Sequence, residues 1–414
     1  MSVKIAPLLP LIVLLVACGG SGTSEPPADS TATTVSVTDV TQAVPVGQLI
    51  VSGTEPIAFD FAPDGRLFFT LRFTGIRWID LTTWKPHERP TAGELFVEME
   101  PFLGNECGVL GIAVDPEFEA NGFVYVYVTE IDPSTDESGL PRVVRFTDVD
   151  GVATDRTVIV ELPPTNPNVC SHVGGNIHFG PDGYLYLSVG NMERPGTASD
   201  LSSPLGKILR VDKADGSPAP DNPFVDDPDA DPRVFAYGLR NSWDFAFHPD
   251  TGRLYAPDNG PGNCDELNLL SAGNDYGWPE ALPAPDTETC LGLGGTDPIY
   301  LFSLPDFEPE VFPSNVAPAG VAFVREGIYP QLGTGLLVCE FVTRFVRYLE
   351  FGGEAGDEIV RDEVVARGCR FNVAVDQDGA ALSGQGQRER GLIYISFDNG
   401  IYRLMPDDLI PPLP

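Results

Sequence analysis

The chain has 414 residues, enough for two or three ordinary domains of roughly 150 residues each or for one large β-propeller or barrel. Glycine (44) and proline (40) together make up a fifth of it, which argues against a helical protein, while 42% hydrophobic and 10% aromatic residues exclude a disordered one. Twenty-five basic against sixty acidic side chains leave a formal charge of −35, which excludes nucleic acid and other polyanions as partners through like-charge repulsion.

At the N-terminus, Lys4 precedes an apolar stretch from Ile5 to Ala17 that only Pro7 and Pro10 interrupt. It falls short of the roughly 20 residues that a permanent membrane span needs, and it reads as a secretory signal. Its end, Leu15-Val16-Ala17-Cys18, resembles a bacterial lipobox, which implies cleavage before Cys18 and a lipid on its sulfur. The stretch that follows is rich in Gly, Ser, Thr and Pro. Residues 1–17 are therefore expected to be a lipoprotein signal peptide, 18–42 a flexible tether and 43–414 the folded domain. This places the protein on the bacterial cell envelope, lipid-anchored, on its periplasmic or extracellular face, with the membrane met only through Cys18.

Beyond Cys18 lie six cysteines, at 107, 170, 264, 290, 339 and 369, an even number in an exported chain where disulfides persist. Six cysteines allow fifteen pairings; sequential pairing of 107 with 170, 264 with 290 and 339 with 369 is the expectation. No Cys-x-x-Cys or Cys/His cluster points to zinc.

From Phe59 onward a repeat governs the chain: an alternating strand, a turn of the Pro-Asp-Gly type, and a second alternating strand, the signature of a β-hairpin. Copies begin near Phe59, Gly111, Ile177, Phe245, Gly320 and Asn372. Each interval has room for four short strands. Radial repetition of such sheets predicts an all-β fold, a six-bladed β-propeller of four-stranded antiparallel blades. Val124–Val128 and Leu185–Val189 are apolar on both faces, as strands sandwiched between blades must be.

Function in a propeller belongs to loops at one end of the central channel. Four polar segments flank the repeats: Asn105–Gly111, Ser171–Asn176, Tyr237–Asn241 and Asp258–Asn268. Within and around them, in fixed order, stand Gly108-Val-Leu-Gly111, His172-x-Gly-Gly175, Gly238-Leu-Arg-Asn241 and Gly260-Pro261 through Asp265-Glu266-Leu-Asn268 to Asn274-x-Tyr-Gly-Trp-Pro279. From about Pro56 to Leu404 the chain thereby resembles the soluble glucose and aldose sugar dehydrogenases that use pyrroloquinoline quinone (PQQ), the glucose/sorbosone dehydrogenase family.

The resemblance implies a six-bladed propeller, PQQ and Ca²⁺ as cofactors, a sugar substrate, and a quinone or cytochrome as electron acceptor. Oxidising an aldose requires a base near the cofactor, and His172 is the candidate. His87, His178 and His248, in a polar loop or in repeat strands, read as structural. The carbonyls of Gly260 and Pro261 are the implied Ca²⁺ ligands. Glu106, Asn176, Arg240, Asn241, Arg370 and Asn372 are the implied cofactor-binding residues. The chain departs from the family pattern in carrying Asn176, Asn191 and Asn372 where Arg, Asp and Arg are usual. Glu340 and Val342 also stand where a lysine is expected, with Arg344 or Arg347 as possible replacements. Fewer cations for a tri-anionic cofactor keep open an alternative, a cofactor-free propeller that binds carbohydrate or protein, and behind it a Ca²⁺-dependent hydrolase such as a lactonase.

Overall fold

The Pro-Asp-Gly turns do what their residue types dictate. In Pro63-Asp64-Gly65 the Gly65 N–H donates to the Ala62 carbonyl at 3.0 Å and the Asp64 carboxylate accepts the Arg66 N–H at 3.0 Å. Gly65 has φ 97°, a left-handed conformation open to glycine at little cost. Pro181-Asp182-Gly183 repeats the arrangement, with Gly183 N–H on the Gly180 carbonyl at 2.9 Å and Asp182 accepting the Tyr184 N–H.

A computed structural model describes residues 47–83, 89–194, 196–261, 264–278, 294–302, 315–377 and 390–410. Its strands form six four-stranded antiparallel sheets. After an N-terminal strand β1 (Gln48–Ser52), the first blade is β2 (Pro56–Phe61), β3 (Arg66–Leu71), β4 (Gly75–Asp80) and β5 (Glu94–Glu98). The second is β6 (Val109–Val114), β7 (Phe123–Ile131), β8 (Gly139–Val149) and β9 (Val152–Glu161); the third is β10 (Ile177–Phe179), β11 (Leu185–Val189), β12 (Lys207–Val211) and β13 (Val234–Tyr237). The fourth is β14 (Ala246–Phe247), β15 (Leu254–Asp258), β16 (Glu266–Leu270) and β17 (Tyr300–Leu301), and the fifth is β18 (Pro318–Val324), β19 (Gly335–Glu340), β20 (Phe345–Gly352) and β21 (Glu358–Arg367). The last blade has three strands of its own, β22 (Val373–Asp376), β23 (Leu392–Phe397) and β24 (Gly400–Leu404). Its fourth is β1, which pairs antiparallel with β24, Gln48 opposite Arg403 and Ser52 opposite Gly400. The two ends of the propeller are thus hydrogen-bonded into one sheet and the ring closes. The protein is a six-bladed β-propeller, as the repeat predicts, and the six repeat copies mark the first strand of each blade.

The apolar core is divided among the contacts between adjacent blades. Phe68, Ile76 and Phe96 of the first blade pack with Val109, Val124 and Val126 of the second, and Tyr186 and Ile208 of the third with Phe245 and Leu254 of the fourth. Ile50 and Val51 of β1 pack with Phe59 and Leu67 of the first blade and with Leu392 and Ile401 of the last, so the closing seam is apolar as well as hydrogen-bonded. Val124–Val128 and Leu185–Val189 are buried on both faces. Each buried large apolar side chain contributes roughly 1.5–3 kcal/mol, spread over six interfaces. Among the described residues no helix is long and apolar enough to cross a membrane.

Cys107 is bonded to Cys170 and Cys339 to Cys369, as the sequential pairing anticipates. Cys264 is disulfide-bonded too, while Cys290 lies outside the described residues.

Candidate functional site

All six blades send the segment preceding their first strand to one cavity of about 440 Å³. Glu55, Glu106, His172, Arg240, Ala317 and Arg370 each line it, one from each blade in turn. Asn259, Gly260 and Pro261 follow β15, Phe341 and Val342 follow β19, and Arg72 follows β3. The wall mixes aromatic faces with a few convergent polar groups, the usual composition of a small-molecule site.

His172 has φ 52°, a left-handed conformation uncommon for a side chain of its size. Three contacts hold it there. Its N–H donates to the Glu106 carboxylate at 2.8 Å, its carbonyl accepts the Met192 N–H at 2.9 Å, and its Nδ1 lies 2.9 Å from Asn191 Oδ1. Glu106 also accepts from Asn241 Nδ2 at 3.2 Å, and Asn241 Oδ1 accepts the Gly174 N–H at 3.0 Å. Glu106 and Asn241 therefore brace the His172 loop from beneath while lining the cavity. Burial pushes the Glu106 carboxyl above its ordinary range, against the hydrogen bonds it accepts. Burial and the Arg240 guanidinium hold His172 below the usual imidazole value, so the ring is neutral near pH 7.

Arg240 stands on a backbone fixed by Asp258, whose carboxylate accepts the N–H groups of Arg240 at 2.7 Å and Asn241 at 2.6 Å. Its Nη1 donates to the Asn259 carbonyl at 2.7 Å and its guanidinium carbon lies 5.4 Å from the centre of the Trp278 ring. Among the described residues no carboxylate lies within ion-pair distance of it, and burial lowers its pKa. Arg370 is paired with Asp398 through Nη1, yet its Nε is buried with no hydrogen-bond partner among the described residues; Asn259 Oδ1 is in the same condition. Buried donors and acceptors of this kind cost about 1–3 kcal/mol each unless something occupies the cavity. Arg72 pairs with Glu55 at 3.0 Å and donates to the Cys107 carbonyl at 3.0 Å.

Three guanidinium groups thus face one cavity, two of them with incompletely used donors, and this donor set fits a polycarboxylate. Gly260 and Pro261 line the same wall, and their carbonyls are hard oxygen donors of the type Ca²⁺ accepts, although that of Pro261 already accepts the Cys264 N–H at 3.3 Å and two donors fall short of the usual six to eight. Among the described residues no group of three or more His, Cys, Asp or Glu could hold a metal by itself.

Two of the residues implied for cofactor binding are placed elsewhere. Asn176 and Asn372 are buried at the starts of β10 and β22, where their N–H groups donate to Ser188 Oγ at 3.2 Å and Ser396 Oγ at 2.8 Å. The backbone of each packs so closely on a neighbouring blade that a Cβ at Gly111 would stand 2.7 Å from Asn176 Cα, and one at Gly320 2.5 Å from Asn372 Cα. Neither belongs to the cavity wall, so their lack of charge does not deplete it. Arg347, a possible substitute for the missing lysine, is spent on Glu340 at 2.6 Å and Asp362 at 2.7 Å; Arg344 packs over Phe341 and Phe397 and is not among the residues that line the cavity. The additional cation is Arg72, whose only signal in the sequence is a charge directly after an alternating apolar strand. His178, on Asp244 at 2.7 Å, and His248, accepting the N–H groups of Asp250 and Thr251, are structural as expected, while His87 lies outside the described residues.

Comparison with known proteins agrees with this fold. The profile of the Glucose / Sorbosone dehydrogenase family matches residues 54–393. The aldose sugar dehydrogenase YliI of Escherichia coli is 25% identical over 84% of this chain and 89% of its own length. A crystal structure of a putative oxidoreductase (glucose dehydrogenase) from Thermus thermophilus superposes with a TM-score of 0.68 at 29% identity, covering 86% of this chain and 99% of that one. The PQQ-bound aldose sugar dehydrogenase of Streptomyces coelicolor shares the fold, with a TM-score of 0.64 at 24% identity over 86% of this chain and 96% of its own. These relatives are sugar dehydrogenases, and with a match over most of its length the chain belongs to the glucose/sorbosone dehydrogenase family.

Proposed function

We propose that the protein oxidises an aldose or related sugar at C1, with PQQ and Ca²⁺ bound in the 440 Å³ cavity. The observation that carries the reading is His172 on the cavity wall beside Arg240, a half-buried guanidinium with no carboxylate at ion-pair distance among the described residues. Arg240, Arg370 and Arg72 would hold the carboxylates of PQQ, and the Gly260 and Pro261 carbonyls would contribute to the Ca²⁺ site. When bound, PQQ supplies a two-electron hydride acceptor and Ca²⁺ polarises its carbonyl. His172 Nε2 takes the proton of the C1 hydroxyl as the C1 hydride leaves with its electron pair, so the sugar loses two electrons and two hydrogens. Glu106 and Asn241 keep the His172 backbone in its left-handed turn throughout. A quinone or cytochrome would then reoxidise the cofactor.

Reconstitution with PQQ and Ca²⁺ should give a bound chromophore and dye-linked oxidation of at least one aldose. His172→Ala should lower kcat by roughly 10²–10⁴ while the chromophore is retained. Arg240→Ala should instead weaken cofactor retention by roughly ten- to a hundredfold, the loss of one charge-assisted hydrogen bond. If high micromolar PQQ leaves neither chromophore nor activity across a broad sugar panel, the dehydrogenase reading fails and a binding propeller replaces it.

The lipobox-like Leu15-Val16-Ala17-Cys18, which lies outside the described residues, supports the further proposal that this activity is lipid-anchored at the cell envelope. Mass spectrometry of the membrane fraction should find a lipid-modified Cys18 as first residue; an unmodified terminus elsewhere would remove the anchor.

A further inference from the structure

We propose that Asn191 is a positioning residue that locks His172 as the Nδ1–H tautomer without placing a charge beside it, so that Nε2 carries the lone pair on the cavity wall. This deepens the reading of His172 as the base and rests on it for its catalytic meaning, but the hydrogen bonds stand independently of that reading.

An amide side chain offers either an acceptor or a donor to an imidazole, and which one it offers decides the tautomer. Here a second contact settles the choice. Asn191 Oδ1, 2.9 Å from His172 Nδ1, also accepts the backbone N–H of Glu193 at 3.0 Å. Turning the amide over would set its NH₂ group against that N–H, donor against donor. The atom facing His172 is therefore an oxygen, and a neutral imidazole can meet it only with a proton on Nδ1. The lone pair must then sit on Nε2.

Asn191 itself has little freedom to turn. It is 7% exposed, its N–H donates to the Arg240 carbonyl at 2.8 Å, and its carbonyl accepts the Arg194 N–H at 2.9 Å. The same residue thus ties the His172 loop to the segment that carries Arg240. A carboxylate in this place would supply the same acceptor and would add a charge that favours imidazolium. The charged groups acting on the ring are then Arg240, which opposes protonation, and Glu193, which favours it. Glu106 meets His172 at the backbone N–H. With a neutral partner at Nδ1, the base remains unprotonated to lower pH than a carboxylate-paired histidine would.

The test is ¹⁵N NMR of histidine-labelled protein without cofactor, His172 being assigned among the four histidines by comparison with His172→Gln. At neutral pH the spectrum should show a pyrrole-type Nδ1 and a pyridine-type Nε2. Asn191→Asp should keep that tautomer while raising the pH of His172 protonation by one unit or more, and in the PQQ-loaded enzyme the acid limb of the pH–rate profile should move up equally. Asn191→Leu should let the Nε2–H form appear and lower kcat at least tenfold, with KM less affected. An Nε2–H tautomer or an imidazolium in the unaltered protein at neutral pH overturns the proposal, and that spectrum decides the matter even if the leucine variant does not fold. An unchanged tautomer in a folded Asn191→Leu variant overturns it as well. An Nδ1–H tautomer in a protein that oxidises no sugar would leave the lock standing and refute the dehydrogenase reading alone.

Discussion

Glu266, at the start of β16, shows how a buried charge acts on a neighbour. It lines a small cavity of about 20 Å³ together with Asp258 and Asp297. Burial raises the Asp258 carboxyl as well, but the two backbone N–H groups it accepts favour its ionised form, so of the two carboxyls Glu266 keeps its proton to the higher pH. Burial first and the Asp258 charge second push the Glu266 carboxyl up to about 8, and burial alone pushes Asp265 up to about 7. Both folded values lie above the unfolded ones, so the folded chain holds protons that the unfolded chain has released. Stability from these groups is complete below about pH 4 and is lost as pH rises through about 7 to 8. Melting temperature should therefore fall from pH 5 to pH 8.5 when measured with a chelator, so that no cation offsets the charge. Glu266→Gln, which cannot ionise, should flatten that fall and leave the variant the more stable protein at pH 8.5. A pH slope identical to that of the unaltered protein would show that Glu266 is already ionised in the fold.

At the scale of elements, the sequence is legible where local chemistry sets the geometry. The six first strands follow from alternation ended by turns such as Asp64-Gly65 and Asp182-Gly183, whose hydrogen bonds involve only near neighbours. The closing role of β1 is not legible, because Gln48–Ser52 pairs with Gly400–Arg403, some 350 residues away, and no turn joins them. The site divides in the same way. His172, Arg240 and Gly260 stand in glycine-rich segments that must bend, and they reach the cavity. Asn176 and Asn372 lie a few residues further on, immediately before the first strand, where backbone packing against Gly111 and Gly320 decides the surroundings. Arg72 carries no motif at all, and it is found only once β3 is known to end at the same rim as the loops. Left-handed backbone outside glycine also gathers here: Glu55, His172 and Ala317 all line the cavity, and Met192 and Glu193 flank the Asn191 contact. Such conformations cost roughly 1–3 kcal/mol each and persist only where surrounding contacts hold them, as Glu106 and Asn191 hold His172.

At the scale of the whole molecule, the disulfides sit where blades meet the cavity. Cys107 follows Glu106 and Cys170 precedes His172 by two residues, so one bridge joins the second blade to the third beside the candidate base. Cys339 and Cys369 join the fifth blade to the sixth beside Phe341 and Arg370. The four sulfur-bearing residues are themselves buried in the apolar contacts between those blades, so each bridge ties a cavity-lining loop to the core beneath it. Closing a 63-residue loop restricts the unfolded chain by about 4 kcal/mol in the chain-entropy account. The same bridge also holds the Glu106 segment against the His172 segment, where the Glu106 N–H donates to the Cys170 carbonyl at 2.8 Å. Paired Cys107→Ala and Cys170→Ala should therefore lower the melting temperature, and at temperatures where the variant remains folded by circular dichroism they should lower kcat/KM at least tenfold. The two effects have different origins: the first acts through the unfolded chain, the second through loosening of the Glu106 brace on His172. A folded variant with a lower melting temperature and undiminished kcat/KM would assign the bridge to stability alone. The Glu106 and Asn191 contacts would then suffice to hold the base.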